Sequence, residues 1–149
     1  MDIGKVANNA EMVIHERLAN EASNPYELEG SMLFGLTTSA NGLVITADCL
    51  ATHPDVYDLL DTATDLSGYS FAVVVTTGWA APLNEDGEAE GAPSKHPKRR
   101  RVRLMVTANR ESVASVLRFE DEPEVTVTDL GDATGTLNDA IRDFATANF

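Results

Sequence analysis

Apolar residues first recur at helical spacing. Ile3, Val6, Ala7, Ala10, Val13, Ile14 and Leu18 share one side of a helix predicted from about residue 3 to 21, with Lys5, Asn9, Glu11, Glu16 and Arg17 largely on the other. Asn24-Pro25 ends it, because the residue before a proline is pushed out of the helical region. The runs Ser31 to Leu36 and Leu43 to Leu50 are then apolar and partly β-branched. Asn41-Gly42 between them supplies the backbone freedom of a tight turn, so the pair reads as a hairpin, although Met32, Leu33, Phe34 and Leu36 also suit a short helix. Thr52-His53-Pro54-Asp55 reads as a second helix start with Thr52 as cap and Pro54 in the first turn. Val56, Leu59, Leu60 and Ala63 form its face, and Ser67-Gly68 stops it.

Phe71 to Thr77 is an apolar run without alternation, as expected of an interior strand covered on both faces. From Arg101 to Val106 the pattern alternates, so Val102, Leu104 and Val106 are expected to face a core and Arg101 and Arg103 to face water. Val113 to Phe119 returns the chain after a turn at Asn109 to Ser112, and Val125 and Val127 suggest a short edge strand beyond Glu120-Asp121-Glu122-Pro123. Thr136 caps a last helix with Asp139 at the box position, and Leu137, Ala140, Ile141, Phe144 and Ala145 share its buried side. The sum is one α+β domain over residues 1–149, with a mostly antiparallel sheet of about four to five strands, about three helices and a long charged loop at 79–101.

Composition narrows the classes of function. The 43% apolar content suits a packed core, and the net charge of -13 is unevenly spread. Residues 1–94 carry only Lys5 and Arg17 against fifteen acidic side chains, whereas six of the eleven basic residues lie between Lys95 and Arg103. The long-range field repels phosphate, which argues against nucleic acid or an anionic membrane as partner. Cys49 is the lone cysteine, no segment approaches the ~20 apolar residues of a membrane span, and the first residues lack the apolar core of a signal peptide, so a cytoplasmic protein is expected.

Candidate chemistry is sparse. His15, His53 and His96 show no HExxH or HxH spacing, and the Cys49-x3-His53 pair with Asp48 is a weak zinc signal. Cys49 with His53 or His96, or Ser94 with His96, lacks the surroundings of a known nucleophile motif. The Gly131 to Thr136 loop precedes a helix, but Asp129, Asp132 and Asp139 would repel phosphate. No catalytic, cofactor or metal residue is therefore assigned. The long connection around residues 80–100 stands out, since irregular segments of that length are uncommon unless they bind something or are disordered. Its acidic half (Glu85, Asp86, Glu88, Glu90) and basic half either neutralise one another or leave a surface for an acidic protein or small anionic ligand. Trp79, at the end of the central strand, either closes the core or anchors a contact.

The segment His96-Pro97-Lys98-Arg99-Arg100-Arg101-Val102-Arg103-Leu104, the Val113 to Phe119 strand and the Leu137 to Phe149 tail resemble an uncharacterised family of actinobacterial proteins with an HP-x-R-x-x-VRL segment and a short C-terminal helix. The resemblance implies no activity. The expectation is a small cytosolic protein of unknown function, more a contact protein than an enzyme, using Trp79, His96, Lys98, Arg99, Arg101 and Arg103. The alternative is a small ligand-binding protein or hydrolase-type enzyme with a pocket near His53 and His96, and self-association through the Val125 to Val127 edge is a third possibility.

Overall fold

The computed structural model describes the chain except residues 1, 23, 63, 82–84, 88–90, 93–94 and 131–135. Helix α1 (Ile3–Glu21) starts where the Asp2 carboxylate accepts the Gly4 and Lys5 amides, and ends at Ala22 in extended conformation. Strands β1 (Ser31–Thr38) and β2 (Val44–His53) form the expected hairpin, with Gly42 at φ 80° in its turn. Helix α2 (Val56–Asp61) follows, then β3 (Phe71–Ala80), β4 (Arg100–Ala108), β5 (Val113–Phe119), β6 (Glu122–Leu130) and helix α3 (Thr136–Asn148). All six strands join one antiparallel sheet in the order β2-β1-β3-β4-β5-β6, one strand more than the upper expectation because β6 is a full nine-residue strand.

Thr52 and His53 belong to β2, and Asp55 takes the cap of α2, its carboxylate accepting the Tyr57 and Asp58 amides. An aspartate directly before the first turn competes better for those amides than a threonine already held in a ladder. The loop Gly131 to Gly135, with the anion reading made of it, lies outside the described residues, as does the Thr136 side chain expected to cap α3. No helix among the described residues is long and apolar enough to cross a membrane.

The sheet is covered on both faces. On one, Val6, Ala10, Ile14 and Leu18 of α1 pack on Phe34, Leu36, Phe71, Val73, Val75 and Met105. On the other, Leu59 of α2 and Ile141, Phe144 and Ala145 of α3 pack on Leu33, Ala72, Val74, Val106 and Ala108. Alternate residues of β1, β3 and β4 thus serve two cores, which explains the unbroken apolar run in β3. Gly35 is needed on β1 because a Cβ there would lie 2.7 Å from the Tyr69 ring.

β3 outlasts β1. Its pairing with β1 runs from Phe71 to Val75, whereas its pairing with β4 continues to Trp79 opposite Arg101 and Ala80 opposite Arg100. The chain entering β1 turns aside at Glu29 and Gly30, which line a cleft with His53 and Pro54 beside β2.

Candidate functional site

Arg103 does not face water as its alternation suggests: it is 0% exposed. β4 is buried on both faces, and the odd-numbered face of this strand meets α1 rather than solvent. Arg103 lies directly opposite Arg118 of β5, so two guanidiniums of like charge sit side by side under the helix. Glu11 of α1, 1% exposed, holds both. Its Oε2 accepts from Arg103 Nη2 at 3.0 Å and from Arg118 Nε at 2.9 Å, and its Oε1 accepts from Arg118 Nη2. Arg103 also donates to Pro25 O at 3.2 Å and to His15 Nδ1 at 2.6 Å, and Arg118 donates to Pro123 O. The Tyr26 ring lies 5.1 Å from the Arg103 guanidinium carbon. Burial alone would raise the Glu11 pKa, but hydrogen bonds and charge from Arg118 and Arg103 hold it below the ordinary carboxylate value. Burial, then the two arginine charges, lower His15, which fits a neutral ring whose Nδ1 accepts from Arg103. This cluster was missed by pattern reading, which set Glu11 on the solvent side of α1; a glutamate falling between Ala7, Ala10 and Ile14 was the available signal.

At the far end of β3 and β4 the polar residues are partly exposed. Trp79 and Ala80 are strand rather than loop, and so are Arg100 and Arg101, so the connection shrinks to residues 81–99. The pairing is held by side chains: the guanidinium carbons of Arg101 and Arg99 lie 4.0 Å and 4.9 Å from the Trp79 ring centroid. Trp79 is half-buried, stacked against these cations.

The basic run is largely spoken for. Arg100 donates to both oxygens of Asp121 and to Glu122 at 2.7 Å, and stacks 4.0 Å from the Phe119 centroid. Arg101 pairs with Glu27 at 3.1 Å, but its buried Nε has no acceptor among the described residues. Among the described residues, Lys95, Lys98 and Arg99 are exposed with no carboxylate partner, and Arg99 donates to its own loop at His96 O, 3.3 Å away. His96 Nδ1 accepts the Lys98 amide at 2.9 Å and fixes the same turn. Of the six residues expected to form a contact surface, the fold therefore gathers Trp79, Arg99 and Arg101 with the Lys98 and His96 turn, and removes Arg103 to the core.

His53 and His96 are not gathered. His53 lines a cleft of about 400 Å³ with Leu28, Glu29, Gly30, Met32, Thr52 and Pro54, and its Nδ1 accepts the Asp55 amide at 3.1 Å. His96 does not line that cleft. Cys49 is exposed on β2, Asp48 accepts from the Tyr69 hydroxyl at 3.0 Å, and Ser94 lies outside the described residues. Among the described residues no group of three or more His, Cys, Asp or Glu side chains is placed to hold a metal ion. At the β6 edge Val125 and Val127 are 46% and 50% exposed. The register there jumps from Arg118 opposite Thr126 to Phe119 opposite Glu122, leaving Pro123, Glu124 and Val125 out of the ladder. A bulge, a proline without an N–H and flanking carboxylates are features that discourage a further strand.

Comparison with protein-family models, with curated proteins and with solved structures finds no match to this chain.

Proposed function

We propose that this protein works through protein contacts made at the end of the β3–β4 ribbon, and that its partner presents an acidic segment. One observation carries the reading: on a chain of net charge -13, the cations that have no carboxylate partner among the described residues at this end, Lys95, Lys98 and Arg99, lie in the loop beside a tryptophan already stacked with guanidiniums. Trp79 and Arg99 combine a large rigid surface with a planar fork of donors, the residue types that dominate binding energy at interfaces. Arg101, held by Glu27 and Trp79, positions that stack rather than reaching outward. An exposed free thiol at Cys49 suits a reducing cytoplasm.

The test is capture from lysate on immobilised wild-type protein and on the Lys98→Ser/Arg99→Ser variant, at low and at 0.5 M salt. Proteins captured by the wild type, released by salt and missing from the variant are expected to have acidic segments. Identical capture by both proteins would refute the reading. A second reading, small-molecule binding, rests on the cleft that brings His53 and Glu29 together. Native mass spectrometry checks it: a bound mass lost on denaturation and absent from a His53→Ala variant would support it, and a bare chain mass would end it.

A further inference from the structure

β3 is an interior strand along its first half and an edge strand along its second. From Thr76 to Ala80 it is bonded to β4 on one side, while on the other, along the lane that β1 fills further up, no strand among the described residues pairs with it. Ser31 closes the top of this lane, its hydroxyl donating to Thr76 Oγ1 at 3.0 Å. Before it the chain leaves the sheet: Gly30 packs so closely on the end of β2 that a Cβ would lie 2.7 Å from His53 O. Alternate residues between Thr76 and Ala80 thus turn both backbone groups toward the lane, and unpaired edge groups of this kind are a template for another strand.

We infer that an extended acidic segment of a partner protein occupies this lane, adding as a strand antiparallel to β3. The two faces of the lane differ. On the α1 face a side chain opposite Trp79 meets the ring and its stacked Arg99, with Lys98 in the adjoining turn. On the other face a side chain opposite Gly78 enters open space, because a Cβ built at Gly78 meets nothing within 4 Å. Below that space lie Val102, paired with Gly78, and Phe119, paired with Val102. Alternation along a strand then dictates the ligand: carboxylates at every second residue toward Trp79 and Arg99, apolar side chains at the residues between. Charge selects this occupant over a second copy joined through β6, since that strand carries Glu122, Glu124 and Asp129. The inference rests on the contact reading above and adds backbone pairing to it.

The probe is a seven-residue peptide alternating valine and glutamate, titrated into the intact protein and followed by the fluorescence of Trp79, its sole tryptophan. Two further versions carry N-methyl groups, one on each set of alternate amides, and a fourth replaces glutamate by lysine. The parent peptide is expected to bind, the lysine peptide not to, and one N-methylated version to lose about tenfold or more in affinity while the other keeps it, because only one set of amides faces β3. Hydrogen exchange of alternate amides within Thr76 to Ala80 is expected to slow by about tenfold or more at saturation. If both N-methylated versions bind like the parent and binding is lost in Lys98→Ser/Arg99→Ser, the charged surface stands and strand addition is refuted. If no version binds, or protection falls on β2 or β6 instead, this inference fails, and the lysate experiment decides the broader reading separately.

Discussion

Replacing Glu11 by glutamine removes one buried charge and leaves two. Arg103 and Arg118 are directly opposed on neighbouring strands and depend on Glu11 for three charge-assisted hydrogen bonds of 2.9–3.2 Å, plus a fourth from Arg118 Nη2. Breaking a buried ion pair from one side costs about 3–5 kcal/mol, against a total stability of about 5–15 kcal/mol for a typical domain. For a chain of this size that corresponds to a fall in Tm of roughly 6–20 °C. Urea denaturation of wild type and Glu11→Gln at pH 7 measures it. The sign with pH follows from the lowered pKa of Glu11: its contribution is fully present above the unfolded carboxylate value of about 4.3 and is lost as pH falls through the folded value. The gap between the two proteins should therefore narrow below about pH 4. A second variant, Glu11→Leu with Arg103→Met and Arg118→Met, removes the charges together and should recover most of the loss, since apolar replacement of a whole buried cluster is often neutral or better. A gap below about 1 kcal/mol at pH 7, the upper range of an exposed pair, would refute the reasoning. So would a gap that stays constant down to pH 2.

Two glycines of the same sheet should respond oppositely to alanine. Gly35→Ala drives a methyl into the Tyr69 ring and should cost about 1–3 kcal/mol by urea midpoint, whereas Gly78→Ala meets open space and should be neutral or stabilising by about 0.4–1 kcal/mol. Asn148→Ala should cost about 1 kcal/mol, because its side chain accepts the Thr64 amide at 3.0 Å and donates to Phe144 O at 2.8 Å, tying α3 to the segment after α2. Arg99→Ser should change the emission of Trp79 in the folded protein by uncovering part of its ring, while leaving the urea midpoint within about 0.5 kcal/mol; an unchanged spectrum would place Arg99 off the ring in solution.

Local signals carried most of the architecture. The helical period of α1, the Asn41-Gly42 turn and the two-sided apolar run of β3 each depend on neighbours in the chain, and each element formed where its residues predict. The errors at the candidate site share one cause. Alternation reveals that a strand has two different faces, but not what covers the polar one. Arg103 looks like a solvent residue until Glu11, 92 positions earlier, is brought over it. Likewise the cluster from Lys95 to Arg103 is visible as charge, but which cations remain available is settled by Glu27, Asp121 and Glu122, whose approach depends on how the strands pair. The stretch of β3 that β1 leaves unpaired has no sequence signature, since it arises from two strands of one sheet ending at different heights.

The separation between Glu11 and its partners also sets an order of events during synthesis. Arg118 leaves the ribosome 107 residues after Glu11, so at about 5–20 residues per second α1 exists for roughly 5–20 s before the second arginine can reach it. Through that interval the apolar side of α1 has only β1 to β4 to cover it as they emerge, and its carboxylate stays hydrated. The helix made first is thus among the last to be locked, and a nascent chain arrested before β5 would hold α1 in a state that proteases and chaperones can still reach.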